Sequence, residues 1–226
     1  MILSEFDFHQ NYTTFLFDFD YTLADASKGI VSCFHIVLNR HGWTGITDEV
    51  IKRTIGMTLE DSFAVLTGIQ EKETLMRLKQ EYIEEADGIM SDNTFFYSDA
   101  IPFLTRLKDH QRQTGIISTK QRYIINESIV KNQVETLFDI VIGMEDVRWA
   151  KPNPEGLLTA MKRLNAVPEQ TLYFGDNIID AKAAQAAGVD FVGVTTGMTA
   201  KEDFHQYPYK KIVARLSDIL PLKSTL

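Results

Sequence analysis

Apolar residues along this chain follow two rhythms, and the change between them divides it. Phe15-Leu16-Phe17 is a continuous apolar run with β-formers before it. It reads as a strand buried on both faces at the centre of a parallel sheet. It breaks abruptly into Asp18-Phe19-Asp20-Tyr21-Thr22. The spacing then turns helical. Residues 28–41 carry the stripe Ile30, Val31, Phe34, Val37 and Leu38, with Gly42 as a stop. Thr47 caps a short helix over 47–54, and Ile55-Gly56-Met57 is a break. Thr58 caps the next helix, with Asp61 near its N3 position and Gly68 at its end. Residues 71–87 place Leu75, Leu78, Tyr82 and Ala86 on one face. No strand is expected between 24 and 93, and an all-helical block inserted after one strand implies a separate subdomain.

Beyond that block strands and helices alternate. Helix is expected over 98–109, with Pro102 in its first turn, then strand at 114–119, helix at 122–132 and strand at 139–143. Asn153 reads as a cap and Pro154 as the first position of a helix that runs to Leu164. Strand at 171–176, an alanine-rich helix at 178–187 ended by Gly188, and strands at 190–194 and 211–214 complete the pattern. This order defines an α/β protein, a parallel sheet with helices on both faces. The expected division is an α/β unit of residues 1–23 and 94–226 and a helical unit of residues 24–93.

Composition narrows the classes. At 226 residues, 44% hydrophobic and 24% charged, the chain can bury a sizeable core. A formal net charge of -8 argues against nucleic acid and anionic membrane as partners, though not against an anionic substrate at a locally cationic site. Cys33 is the only cysteine, so no internal disulfide can form and a reducing compartment is the simpler reading. The first ten residues carry Glu5 and Asp7 and lack the build of a signal peptide, and no apolar run is long enough to span a bilayer. The expectation is a cytoplasmic protein, monomer or homodimer. The five histidines, His9, His35, His41, His110 and His205, are scattered without zinc spacing. Cys33, Trp43 and Trp149 are expected to pack into the core.

Several strands end in residues of one chemical kind: Asp18 and Asp20, then Ser118-Thr119-Lys120, then Gly175-Asp176 with Asp180 four residues on. Lys151-Pro152 lies between the last two. In a parallel sheet these ends share one edge, where open α/β sheets hold ligands. Acids, a hydroxyl and lysines converging there suit phosphoryl transfer. Carboxylates hold Mg²⁺, a hydroxyl and amides cradle phosphate oxygens, a lysine neutralises their charge, and an aspartate can act as nucleophile. Singly, each residue has a plainer reading: Lys151 as a surface lysine, Asp180 as a helix N-terminal charge, Ser118 as a strand-end hydroxyl, Arg53 as a solvated residue.

Jointly, Asp18-Phe-Asp-Tyr-Thr22, Ser118, Lys151-Pro and Gly175-Asp176-Asn-Ile-Ile-Asp180 resemble the haloacid dehalogenase superfamily of aspartate-nucleophile phosphohydrolases. The helical insert resembles the cap of one subgroup, the phosphoglycolate phosphatase branch. The resemblance implies a Rossmann-like core with a helical cap and a Mg²⁺-dependent phosphatase acting on a small phosphorylated metabolite such as a phosphoglycolate-like monoester. Asp18 is then the nucleophile and Asp20 the acid and base. Asp18, the carbonyl of Asp20 and Asp176 bind metal. Ser118, Thr119 and Lys151 hold phosphate, while Thr22, Gly175, Asn177 and Asp180 support the site. Arg53 and Gly56 match a cap segment that reads the substrate. Tyr21 departs from the family's usual Gly, and Ser118 replaces the commoner Thr. Alternatives are a sugar phosphomutase or pyrophosphatase of the same superfamily, or a non-catalytic phosphate-binding regulator. A dehalogenase would leave Asp20 without a role.

Overall fold

The computed structural model describes residues 11–219; His9 and the leader reading of the first ten residues fall outside them. Strand β1 (Thr14–Phe17) lies fourth from one edge and third from the other in a six-stranded, wholly parallel sheet. Its neighbours are β4 (Gln113–Ile117) and β6 (Thr171–Gly175). Beyond them lie β5 (Ile140–Ile142) on one side and β7 (Asp190–Val194) and β8 (Lys211–Val213) on the other. Phe17 pairs with both Ile116 and Phe174, so the three central strands end level.

Alternation along β1 sends Phe15 and Phe17 into one face and Leu16 into the other, and both faces are covered. The first face packs Phe17 on Phe174 at 4.8 Å and on Phe103 of α5 (Ala100–Asp109) at 6.1 Å. The second packs Leu16 and Tyr173 against Leu157 of α7 (Glu155–Leu164) and the alanines of α8 (Ile178–Ala187). Small alanines let α8 lie close to the sheet.

The helical block has its own core. Helices α1 (Ser27–Arg40), α2 (Asp48–Lys52), α3 (Leu59–Thr67) and α4 (Lys72–Ile89) bury Phe34, Phe63, Leu78 and Tyr82 together. Thr47 and Thr58 cap as their side-chain chemistry requires, accepting from Val50 and Asp61 amides, and α3 ends at Gly68. Ile124 of α6 (Arg122–Lys131) reaches from the α/β side into this cluster.

Three readings are corrected. Ala24–Asp25 form a two-residue strand, β2, antiparallel to β3 (Phe95–Phe96), where none was expected before 93. Two residues are too few to show alternation. Pro154 occupies the N-cap of α7 rather than its first position, and Asn153 Oδ1 accepts from the Glu155 amide just inside. Trp149 is 60% exposed, with Arg148 over its ring, rather than packed in the core. Cys33 is buried in the helical cluster, and Trp43 packs against it.

Candidate active site

The site begins where β1 stops. The Asp18 amide donates to the Phe174 carbonyl at 2.8 Å, carrying the ladder one residue further and setting the Asp18 carboxylate between the ends of β4 and β6. Lys151, on the loop before α7, reaches over β6 to meet it. Its Nζ lies 2.7 Å from Asp18 Oδ1, 2.7 Å from Asp180 Oδ1 and 3.2 Å from the Tyr173 hydroxyl. The Tyr173 hydroxyl donates to Asp180 Oδ1 at 2.9 Å. Asp180 is at N3 of α8, and its Oδ2 accepts the Asn177 amide at 3.0 Å in a capping box. Asp180 therefore both closes the helix start and bonds the lysine. Gly175 allows this closeness, since a Cβ there would stand 2.4 Å from that of Asp180.

All three acids are buried, and one oxygen from each of Asp18, Asp176 and Asp180 lies within 4.8 Å of the others. Three carboxylates against the one Lys151 ammonium leave two negative charges uncompensated if all ionise, an arrangement that suits a divalent cation. Asp180 has both oxygens committed, so Asp18 and Asp176 are the carboxylates left to face a cation. Burial lifts Asp18 to about 7 against the pull of Lys151, with Asp180 pushing the same way as burial. Burial, then Asp180 and Asp18, raise Asp176 well above the carboxylate range. Burial opposes the charge on Lys151, but the two aspartates outweigh it and its pKa rises.

Asp176 is held from two sides. Thr22 Oγ1 donates to its Oδ1 at 3.4 Å, and a Cβ on Gly197 would lie 1.8 Å from its Oδ2. Asp20 stands apart from the acid cluster, its carboxylate 2.7 Å from Lys120 Nζ. Ser118 lies buried at the end of β4 and accepts the Lys120 amide at 3.2 Å. The Thr119 hydroxyl is turned to the cap instead, donating to the Gly56 carbonyl at 3.0 Å, and Asn177 Nδ2 donates to the Ile55 carbonyl at 3.5 Å. These two bonds join the helical block to the sheet edge. Arg53, three residues before Gly56, points elsewhere: its side chain is 66% exposed and its guanidinium donates to Glu49 one helical turn away at 2.7 Å. It follows α2 at its C-cap, where the i, i+4 partner is in easier reach than the cleft.

Tyr21 adopts φ +60°, a region open to glycine and costly for a side chain with a Cβ. Its ring is buried among the helices, which offsets that strain. Two participants escaped the sequence reading. Tyr173 looks like a strand filler, and Gly197 follows β7 in a loop with no motif of its own.

The chain belongs to the haloacid dehalogenase-like hydrolases: that family's profile matches residues 15–194. Among solved structures, a protein of Bacteroides fragilis, provisionally described as a haloacid dehalogenase-like hydrolase, is 54% identical with a TM-score of 0.91, covering 92% of this chain and 100% of that one. A Lactobacillus plantarum protein provisionally described as a phosphoglycolate phosphatase shares the fold at 22% identity and TM-score 0.82, over 92% and 98% of the two chains. The pyrophosphatase PpaX of Bacillus mycoides is 29% identical over 213 residues, 94% of this chain and 97% of that protein. No helix among the described residues is long and apolar enough to cross a membrane.

Proposed function

We propose that this hydrolase is a Mg²⁺-dependent phosphatase that cleaves small phosphorylated metabolites through an aspartyl phosphate on Asp18. The observation that carries the reading is the buried Lys151 bridging Asp18 and Asp180 at 2.7 Å each. A lysine so placed holds one oxygen of Asp18 and leaves the other free for attack. Asp18 Oδ2 forms a bond to phosphorus as the bond to the leaving oxygen breaks, and Asp20 delivers a proton to that oxygen. Asp20 then takes a proton from water, which attacks the aspartyl phosphate, frees Asp18 and releases inorganic phosphate. Lys120, 2.7 Å from Asp20, orients that carboxylate between the two half-reactions. Ser118 and Lys151 receive the non-bridging phosphate oxygens. Asp18, the Asp20 carbonyl and Asp176 would hold Mg²⁺, which when bound offsets the charge of the acids and the phosphate.

A second reading, pyrophosphate hydrolysis, is favoured by the name of the curated relatives. The shared chemistry is tested first. Asp18→Asn should cut Mg²⁺-stimulated hydrolysis of p-nitrophenyl phosphate by about 10³-fold or more while the far-ultraviolet circular dichroism stays native. Wild-type turnover in that variant, or full activity in excess EDTA, would refute the scheme.

A further inference from the structure

Between the sheet edge and the helical block lies a cleft that starts at Asp20, where the leaving oxygen is released. Ile30, Phe34, Tyr82, Ile124 and Met144 line it from both units. Four charged residues reach it, and they are spent on one another. Lys120 is bonded to Asp20 at 2.7 Å, and Lys79 of α4 to Glu60 of α3 at 2.6 Å. The first pair is almost wholly buried and the second sits at the rim, about a quarter to a third exposed. The serine and threonine hydroxyls follow suit: Thr54 donates to the Ile51 carbonyl, Ser62 to the Thr54 carbonyl and Thr119 to the Gly56 carbonyl.

We infer that the leaving group of the physiological substrate is uncharged and largely apolar; the inference rests on the phosphatase reading above. Phosphoglycolate and pyrophosphate each bring a second anion to the cap side of the site. Such an anion would enter an apolar cleft whose two lysines already serve carboxylates, so binding would require breaking an ion pair and leaving an acid uncompensated. An uncharged apolar alcohol loses nothing of this kind and gains the contact area of Phe34 and Tyr82. The Glu60–Lys79 pair offers an incoming anion no net attraction, because each partner cancels the other.

The test compares benzyl phosphate, 2-phosphoglycolate and pyrophosphate, the first two being esters of unactivated alcohols. With Mg²⁺ the wild-type protein should show kcat/KM for benzyl phosphate at least about tenfold above either anionic competitor. Glu60→Gln, which frees Lys79, should raise the phosphoglycolate-to-benzyl phosphate ratio by about tenfold. Equal or higher wild-type efficiency on phosphoglycolate or pyrophosphate would overturn the inference and leave the phosphatase reading standing. Binding to the Asp18→Asn protein, measured by calorimetry, separates the cleft from the chemistry. Tighter binding of benzyl phosphate supports the inference, and tighter binding of phosphoglycolate overturns it even if no ester is turned over.

Discussion

The sheet edge and the helical block treat charge in opposite ways. On the sheet side Asp18, Asp176, Asp180 and Lys151 are buried at strand ends, and acids outnumber the lysine. On the helical side Lys79 with Glu60 and Arg53 with Glu49 are matched one to one, and both pairs keep access to solvent. Imbalanced buried charge is costly and persists where a cation or a phosphate is to be received. Balanced charge at a rim costs little and does little. The difference supports the proposal of chemistry at the sheet edge and selection at the helical block.

Substitutions should divide along the same line. Lys151→Met leaves Asp18 and Asp180 facing each other without a counter-charge, and should lower stability by about 3–5 kcal/mol in the metal-free protein. It should also reduce kcat by about 10²-fold or more. Urea midpoints and steady-state rates measure both, and a mild effect would mean that the sheet side is no more strained than the cap. Next comes Gly197→Ala. Its Cβ has no room beside Asp176 Oδ2, so the concentration of Mg²⁺ giving half-maximal activity should rise about tenfold with little change in stability. The smallest effect is expected from Arg53→Ala. Losing an exposed i, i+4 pair should change stability by less than about 0.5 kcal/mol and kcat/KM by less than about twofold. A tenfold loss in kcat/KM would restore Arg53 as a substrate contact, as the sequence first suggested.

What could be read without coordinates was what leaves a periodic or chemical trace within a few residues. The Thr47 and Thr58 caps, the Gly68 and Gly188 stops and the buried run at 15–17 each carry their mechanism locally. Asp18, Lys151, Asp176 and Asp180 were legible as a set because topology brings like strand ends to one edge. Tyr173 was not, because an aromatic in an apolar strand gives no sign that its hydroxyl meets Asp180 and Lys151. Gly197 was not, because its function is an empty space beside a residue 21 positions earlier. Arg53 shows the converse, since proximity to Gly56 in sequence does not fix which way a long side chain at a helix end turns. The two-residue ribbon β2–β3 joins segments some seventy residues apart, and neither half has a pattern to see.

The central claim is that Asp18 carries the phosphoryl group, and the most direct measurement is a crystal structure of the protein with Mg²⁺ and fluoroberyllate. Beryllium should be bonded to Asp18 Oδ2, with Lys151 on the neighbouring oxygen and Asp20 facing the open axial position. Beryllium bonded to Asp20, Asp176 or no carboxylate at all would contradict it.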